Sequence, residues 1–395
     1  MKKLDIKSLI IGVLAIIVIF AIVLIIILLG GINNEHKTIV SDDAVAYNNR
    51  GVAYGNKGNY DKAIECFHKA ININPDDAEA YYNMGIAYRY KGNYDKAIEC
   101  FQKAININPE YADAYSNMGF AYGEKGNYDN EIECYQKAIN INPDLAEAYY
   151  NMGIAYTEKG NHDKAIEYFQ KAININPEYA DAYSNMGFAY GGKGNYDKEI
   201  ECYQKAININ PDLAEAYYNM GFAYGGKGNY DKEIECYQKA ININPEYADA
   251  YSNMGVAYKK KGNYDKAIEC YQKAININPD DAKAYINMGN AYGEKGNNEK
   301  AIECYQKAIN VNPYLAEAYY NMGITYGEKG SYDKAIKCCK KAININPDYA
   351  EAYYNMGITY GKKGSYDKSI ECLKNAARLG DKDSQEILRK FDIFW

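Results

Sequence analysis

The sequence has few histidines, a residue type that often acts in catalysis and metal binding. Its 395 residues include one tryptophan and three histidines, and His36, His68 and His162 are far apart. No histidine shows the spacing to a cysteine that zinc sites have, and no pairing of a nucleophile with a base is evident. We therefore expect no enzyme activity, no metal site, no cofactor and no small-molecule substrate.

An excess of positive charge is also missing. The chain has 45 Lys and Arg residues against 52 Asp and Glu residues, a formal charge of −7. Nucleic-acid binding depends largely on basic side chains that displace counterions from phosphates, so we expect no nucleic-acid partner. Residues 187–193 and 221–227 have the glycine and lysine spacing of a phosphate-binding loop, but neither lysine is followed by Ser or Thr. We discount both matches.

One long hydrophobic run lies near the N-terminus. Residues 9–32 carry no charge and are mostly Ile, Leu, Val and Phe. A helix of this length rises about 36 Å at roughly 1.5 Å per residue, enough to cross a hydrocarbon core of about 30 Å. A cleaved signal peptide is the alternative, but its apolar core is shorter, roughly 7–15 residues, and ends at a small-residue site that is missing here. We predict a short basic segment at 1–8, a transmembrane helix at 9–32 and a polar linker at 33–43.

The remaining chain is dominated by a 34-residue repeat. Ten copies, the first starting at Ala44 and the last at Ala350, cover residues 44–383. In each copy, apolar or small residues at positions 3, 4, 7, 8, 10 and 11, and again at 20, 21, 24, 27 and 28, recur at helical spacing. Each copy therefore encodes two amphipathic helices. Neither helix pair can bury its apolar face alone, so we expect neighbouring copies to stack into a continuous core.

Glycine, asparagine and proline mark the ends of these helices. A glycine at position 15, such as Gly92, is expected to end the first helix, and the asparagine that follows it, Asn93, to cap the second. All nine prolines, from Pro75 to Pro347, stand at position 32. Proline cannot continue a helix, so each one is expected to end the second helix of its copy.

The tenth copy lacks this proline, and the chain continues for twelve residues. Asp383 and Glu386 have the spacing of a capping box, and Ile387, Leu388 and Phe391 fall on one helical face. We predict that residues 384–395 form a helix that covers the exposed core of the last copy. A docking tail that includes the last two residues is the alternative.

The residues at key positions of the repeat resemble those of the tetratricopeptide repeat. In the second copy they are Tyr81, Met84, Gly85, Tyr88, Ala97, Phe101, Ala104 and Pro109. The resemblance implies an all-α fold, a right-handed α-solenoid of ten tandem helix-turn-helix repeats. It also implies that the inner surface of the solenoid is a peptide-binding groove.

The groove can be located on the first helix of each repeat. At 100° per residue, positions 2, 5, 6, 9, 12 and 13 lie opposite the packed side. Position 6 is always Asn, position 5 is often Tyr, and position 2 is mostly acidic. Aromatic rings and amides suit an extended peptide, and the acidic neighbours favour a basic one. The predicted peptide-binding residues are Tyr82, Asn83, Tyr150, Asn151, Tyr218, Asn219, Tyr320, Asn321, Tyr354 and Asn355; an ordinary solvated face is the alternative.

Three repeats depart from the pattern at position 20. Most copies have Ala there, but three have Glu131, Glu199 and Glu233. A buried carboxylate costs several kcal/mol unless it is paired. We therefore expect these three side chains to bend outward to solvent.

Two signals about location disagree. Lys2, Lys3 and Lys7 precede the hydrophobic run, and the positive-inside rule then places the N-terminus in the cytoplasm and the repeats outside it. Nine of the ten cysteines share one repeat position, where stacked copies would hold them about 10 Å apart, too far for disulfides. Free thiols are more typical of a reducing compartment. We give the charges more weight because they act on insertion directly.

These observations together predict a single-pass membrane protein whose repeats lie outside the cytoplasm. Its predicted function is that of a non-catalytic scaffold that binds other proteins through extended or basic segments. The alternative is a regulatory or substrate-recruiting subunit of an enzyme complex whose catalytic chain is separate.

Overall fold

A computed structural model describes residue 21 and residues 42–395. The predicted basic segment at 1–8, the predicted transmembrane helix at 9–32 apart from residue 21, and most of the predicted linker at 33–43 lie outside these residues. In the described part of the chain, no helix is both long enough and apolar enough to cross a membrane. The same residues form α-helices joined by short turns, without any strand.

The chain divides into two compact units, Met1–Ala182 and Tyr183–Trp395. In the first unit the helices are α1 (42–55), α2 (Tyr60–Ile73), α3 (Ala78–Tyr90), α4 (Tyr94–Ile107), α5 (Ala112–Gly123), α6 (Tyr128–Ile141), α7 (Ala146–Glu158) and α8 (His162–Ile175). Helix α9 (Ala180–Gly192) contains the division. The second unit has α10 (Tyr196–Ile209), α11 (Ala214–Gly226), α12 (Tyr230–Ile243), α13 (Ala248–Lys260), α14 (Tyr264–Ile277), α15 (Ala282–Glu294), α16 (Asn298–Val311), α17 (Ala316–Glu328), α18 (Tyr332–Ile345), α19 (Ala350–Lys362), α20 (Tyr366–Arg378) and α21 (Lys382–Lys390).

Within each unit the helices pack as a stack of repeats. The two helices of a repeat contact each other, the second helix contacts the first helix of the next repeat, and successive first helices also touch. Each helix thus buries its apolar face against its neighbours in sequence, which is the packing of a helical solenoid. The prediction of an all-α solenoid is confirmed.

The turn inside each repeat follows from two residues. Gly92 has a φ angle of 71°, a left-handed conformation that glycine adopts without steric cost, and ten glycines between residues 58 and 364 share it at the same repeat position. The next residue, Asn93, accepts a hydrogen bond through its side chain from the backbone N–H of Lys96, at 3.2 Å. This satisfies one of the free N–H groups at the start of the second helix. The predicted helix end and cap are both confirmed.

A tight contact between glycine and an aromatic ring sets the distance between the two helices of a repeat. In the second repeat, the ring of Phe101 is fully buried against the backbone of Gly85. A Cβ atom at Gly85 would lie 2.6 Å from the ring, so only glycine fits. Ala97 and Ala104, which are also fully buried on the second helix, keep the rest of this interface equally close.

All ten cysteines are free and buried. Burial raises the pKa of Cys134 and of Cys202 to about 12, so these thiols stay protonated and unreactive at neutral pH. Cys339, which takes the place of the ring at position 24 in its repeat, is 1% exposed. The predicted free thiols are confirmed.

The C-terminal helix differs in detail from the prediction. Helix α21 begins after Asp381, whose side chain accepts a hydrogen bond from the backbone N–H of Ser384 at 2.7 Å, so the predicted capping box at Asp383 is wrong. Leu388 is buried against the last repeat as expected, at 1% exposure. The helix ends before Phe391, which is 72% exposed, so the placement of this residue on the packed face is also wrong.

Two glycines one turn apart in α15 allow a matched test of this packing. A Cβ atom at Gly289 would lie 2.6 Å from the ring of Tyr305, whereas one at Gly293 would have nothing within 4 Å. We expect Gly289→Ala to lower the free energy of unfolding by about 1–3 kcal/mol through overpacking. Gly293→Ala should leave it unchanged or raise it by up to about 1 kcal/mol, because alanine favours the helix. Urea unfolding of both variants measures the difference, and equal effects would contradict the role assigned to the contact.

Candidate functional site

A cleft recurs between the first helices of successive repeats, with the second helix of the earlier repeat as its floor. It is lined by positions 9, 12, 13 and 24 of one repeat and by positions 6, 9, 10 and 13 of the next, and in some repeats also by positions 17 and 20. Clefts of about 340 Å³ and 310 Å³ lie over repeats 1 and 3 in the first unit, and one of about 440 Å³ lies over repeat 8 in the second. The cleft over repeat 3 is lined by Phe120, Gly123, Glu124, Tyr128, Glu131, Tyr135, Asn151, Ile154, Ala155 and Glu158.

The residue at position 12 determines how open this cleft is. All three clefts have glycine there, Gly55, Gly123 and Gly293. Repeat 2 has Arg89 instead, and its guanidinium carbon lies 4.9 Å from the ring centres of both Tyr90 and Phe120. These rings stand at positions 13 and 9, which line the cleft in the other repeats. Arg89 therefore lies across the cleft of its own repeat.

The three glutamates at position 20 do not bend outward, and our prediction for them is wrong. Glu131 and Glu199 are 6% exposed and Glu233 is 5% exposed. Position 20 faces the first helix of the same repeat, so a side chain there has no path to solvent on its own side. In each case the carboxyl group lies over the glycine at position 12 instead, where a Cβ atom would come within 2.7 Å of it. The sequence signal was a glycine eight residues before each glutamate.

Burial changes the titration of these groups. It raises the pKa of Glu131 to about 7, with smaller contributions from the negative charges of Glu124 and Glu158. Burial also raises the pKa of Glu199 to about 7. Glu199 and Glu233 each have a buried carboxylate oxygen without a hydrogen-bond partner. Among the described residues, none donates a hydrogen bond to the carboxyl group of Glu131 either.

The predicted tyrosines are half-buried and help to join neighbouring repeats. The hydroxyl oxygens of Tyr82, Tyr218 and Tyr320 each accept a hydrogen bond from the side chain of the asparagine at position 6 of the next repeat, at 3.1, 2.8 and 2.9 Å. The ring of Tyr82 also packs on that of Tyr111, with 4.8 Å between centres. The tyrosines at position 5 do not line the three clefts. Their role in peptide binding remains a prediction.

The predicted asparagines lie closer to the clefts. Asn83, Asn151 and Asn321 line those over repeats 1, 3 and 8. Asn321 also donates a hydrogen bond to the side-chain oxygen of Asn290 at 3.1 Å. Asparagine amides thus line each cleft. The clefts over repeats 3 and 8 add carboxylates, which include Glu158 and Glu328, and Lys259 also lines the cleft over repeat 8. The described residues form no group of three or more His, Cys, Asp or Glu side chains that could hold a metal ion.

Comparison with protein-family models gives matches along almost all of the described chain. Models described as "Tetratricopeptide repeat" match residues 42–110, 80–144, 110–178, 144–212, 202–235, 248–281, 270–303 and 350–380. Models described as "TPR repeat" match residues 226–262, 289–330 and 326–364. A search of curated proteins finds no match.

Solved structures give a similar result. The chain is 34% identical to MamA over 42% of its own length and 97% of that protein, with a TM-score of 0.40. It is 27% identical to YrrB, described as a TPR protein with an unusual peptide-binding site, over 47% of its length and 96% of YrrB, with a TM-score of 0.42. The C-terminal part of a TPR repeat-containing protein from Cytophaga hutchinsonii is 20% identical, covers 61% of this chain and 98% of its own, and has a TM-score of 0.52, which shows likeness of fold alone.

The buried glutamates predict an unusual dependence of stability on pH. The usual pKa of Glu131 is 4.5 and its pKa in the folded chain is about 7, so the folded state holds a proton that the unfolded state has lost between these values. The free energy of unfolding should therefore fall as pH rises from about 5 to about 7 and then level off.

Glu131→Gln should make the free energy of unfolding fall less as the pH rises. The reduction should be at most about 3 kcal/mol for a pKa shift of this size. Denaturant unfolding between pH 5 and pH 8 measures it. The control is Glu133→Gln on the same helix, because Glu133 is exposed, pairs with Lys137 at 2.7 Å and has a lowered pKa. A fall that is unchanged in Glu131→Gln would contradict the raised pKa.

Proposed function

Because the chain belongs to the tetratricopeptide-repeat family, we propose that it is a membrane-anchored, non-catalytic scaffold that binds extended, basic segments of partner proteins. The binding surface is the row of clefts between the first helices of successive repeats within each unit. The observation that carries the proposal is the composition of these clefts, which combine amides and aromatic rings at fixed repeat positions, with carboxylates added in the clefts over repeats 3 and 8.

Each kind of side chain has a distinct part in binding. The amides of Asn83, Asn151 and Asn321 can exchange hydrogen bonds with the backbone of an extended segment, which carries one donor and one acceptor at most residues. Rings such as Tyr60 and Phe120 offer contact area with few rotatable bonds. Carboxylates at the cleft edges favour a positively charged partner and speed its approach.

Membrane anchoring rests on the sequence alone. Residues 9–32 are long and apolar enough to span a bilayer, and the lysines before them favour a cytoplasmic N-terminus. An anchor at one end would confine the clefts to a layer beside the membrane. Partners in the same layer would then meet the protein at a raised effective concentration.

Peptides of different charge test the preference for basic partners. The probes are unstructured twelve-residue peptides with net charges of +4, 0 and −4, titrated into the full chain in detergent micelles. We expect the +4 peptide to bind most tightly and to weaken as salt increases. The double variant Glu124→Gln/Glu158→Gln should weaken its binding about 2–30-fold, since exposed charge pairs contribute roughly 0.2–1 kcal/mol each.

The control removes the same number of charges from second helices. Glu65→Gln/Glu133→Gln changes two exposed carboxylates that pair with lysines one turn away and do not line the clefts. It should leave binding unchanged. Equal binding of the +4 and −4 peptides, or an equal loss in both double variants, would count against the proposal.

The buried cysteines make a topology experiment straightforward. Tyr314 lies in a turn and is 80% exposed, whereas all ten native thiols are buried. We expect Tyr314→Cys to react with a membrane-impermeant maleimide in intact cells, and the wild-type chain to remain unlabelled. Labelling of the variant only after lysis would place the repeats in the cytoplasm and overturn the proposed orientation.

A further inference from the structure

The cleft over repeat 3 contains a buried carboxyl group for which the described residues provide no partner. Glu131 lines this cleft of about 310 Å³ and is 6% exposed. The volume of the cleft lies at the lower end of the range of pockets that hold small ligands, roughly 300–1,000 Å³. Leaving a buried polar group without a partner is costly, so a partner supplied from outside the chain would stabilise the cleft.

The rest of the lining favours a cation with a hydrocarbon stem. Glu124 and Glu158 add two carboxylates to the cleft, and Phe120 and Tyr128 add aromatic rings. The faces of aromatic rings attract ammonium and guanidinium groups, whereas a bare metal ion prefers a shell of oxygen ligands. Ile154 and the ring carbons suit the methylene groups that lead to such a charge.

The chain itself places a lysine in an equivalent position three repeats later. In repeat 6 the residues that correspond to Tyr128, Glu131 and Glu158 are Tyr230, Glu233 and Lys260. The ammonium group of Lys260 lies 5.3 Å from the ring centre of Tyr230. Its charge lowers the pKa of Glu233, although burial raises it more. Repeat 6 thus supplies its own cation, and repeat 3 has a carboxylate where that lysine stands.

Repeat 2 gives a second internal example. Arg89 carries its guanidinium group 4.9 Å from the ring centre of Phe120, one of the residues that line the cleft over repeat 3. Arg89 forms no ion pair with Glu131 in the described chain. The rings of these clefts therefore accept both kinds of basic side chain, while the carboxyl group of Glu131 stays unpaired.

We propose that the cleft over repeat 3 binds the side chain of a lysine or arginine from the partner segment, with its charged end facing Glu131. The inference rests on the proposed function and adds a specific subsite to it. A salt bridge formed there is shielded from solvent, and so it discriminates between side chains more strongly than charges at the cleft edge do.

The proposed ligand should bind more tightly as the pH rises. The pKa of Glu131 in the folded chain without ligand is about 7. A cation that binds the ionised carboxylate therefore displaces the proton of Glu131 when the pH is below this value. The titratable groups around Glu131 do not reverse this direction of the pH dependence. Burial raises the pKa of Cys134 to about 12 and that of Tyr135 still further, so both stay neutral, and Glu124 accepts a hydrogen bond from the hydroxyl of Tyr94 at 2.9 Å. Glu124 and Glu158 are the other charged side chains that line the cleft.

Small peptides that differ in one side chain test the subsite. The probes are blocked pentapeptides, Gly-Gly-X-Gly-Gly with X as lysine, arginine or the uncharged norleucine, titrated into the full chain in micelles at pH 6 and pH 8. We expect lysine and arginine peptides to bind at pH 8 about tenfold more tightly than the norleucine peptide, and more weakly at pH 6.

Three variants separate the subsite from the other clefts. Glu131→Gln should remove one site per chain together with the pH dependence, and Glu158→Lys, which reproduces the arrangement at Lys260, should do the same. Glu233→Gln should bind as the wild type does. If Glu131→Gln folds poorly, Glu131→Ala replaces it, because six other repeats have alanine at this position.

The outcomes distinguish this inference from the proposed function. Equal titrations for the wild type and Glu131→Gln would overturn the subsite, and so would binding of putrescine without binding of either basic peptide. If the +4 twelve-residue peptide still binds in those cases, the proposed function stands without the subsite. If neither class of basic peptide binds the wild-type chain, both proposals are wrong.

Discussion

The contact between the glycine at position 8 and the side chain at position 24 sets the geometry on which the clefts depend. In the second repeat it brings the backbone of Gly85 against the ring of Phe101, so the two helices lie as close as their backbones allow. The ring fills the space between the helices and leaves its edge at the floor of the cleft, where Phe67, Tyr135 and Tyr305 appear in other repeats. Core packing and the candidate binding surface therefore share the same residues. A substitution that loosens one alters the other.

A second glycine position, position 12, controls which side chains line the clefts. Glycine at position 12 leaves room above the second helix, and the chain uses that room in different ways. In repeats 1 and 8 the space stays open, and in repeats 3, 5 and 6 a glutamate from position 20 lies in it. The carboxyl group fits because Gly123 and its equivalents have no side chain. The cost is the desolvation of a charge, which the raised pKa of Glu131 expresses.

The sequence was sufficient to predict the helices and turns but not the state of individual groups. The positive φ of Gly92, the cap at Asn93 and the buried alanines each follow from local rules that a 34-residue period repeats many times. Glu131 was misplaced because the rule that carboxylates avoid burial is an average, and here a glycine eight residues earlier in the chain made burial possible. One helix alone also does not reveal that the hydroxyl group of the half-buried Tyr82 bonds to Asn117 of the next repeat, and the role of Tyr82 in peptide binding stays a prediction.

Near-identity among the repeats makes the few differences informative. Most positions recur unchanged, so a substitution of one cleft residue changes one subsite. The packing of the repeats stays the same, because the helices on either side keep their contacts. The pair Glu158 and Lys260 is such an exchange: the two residues occupy the same position, and they give opposite charges to clefts whose glutamates are equally buried. A segment that binds several clefts would therefore be selected by the pattern of charges along the repeats. Selectivity of that kind needs no change in the fold, because it arises from exposed positions that carry little of the packing energy.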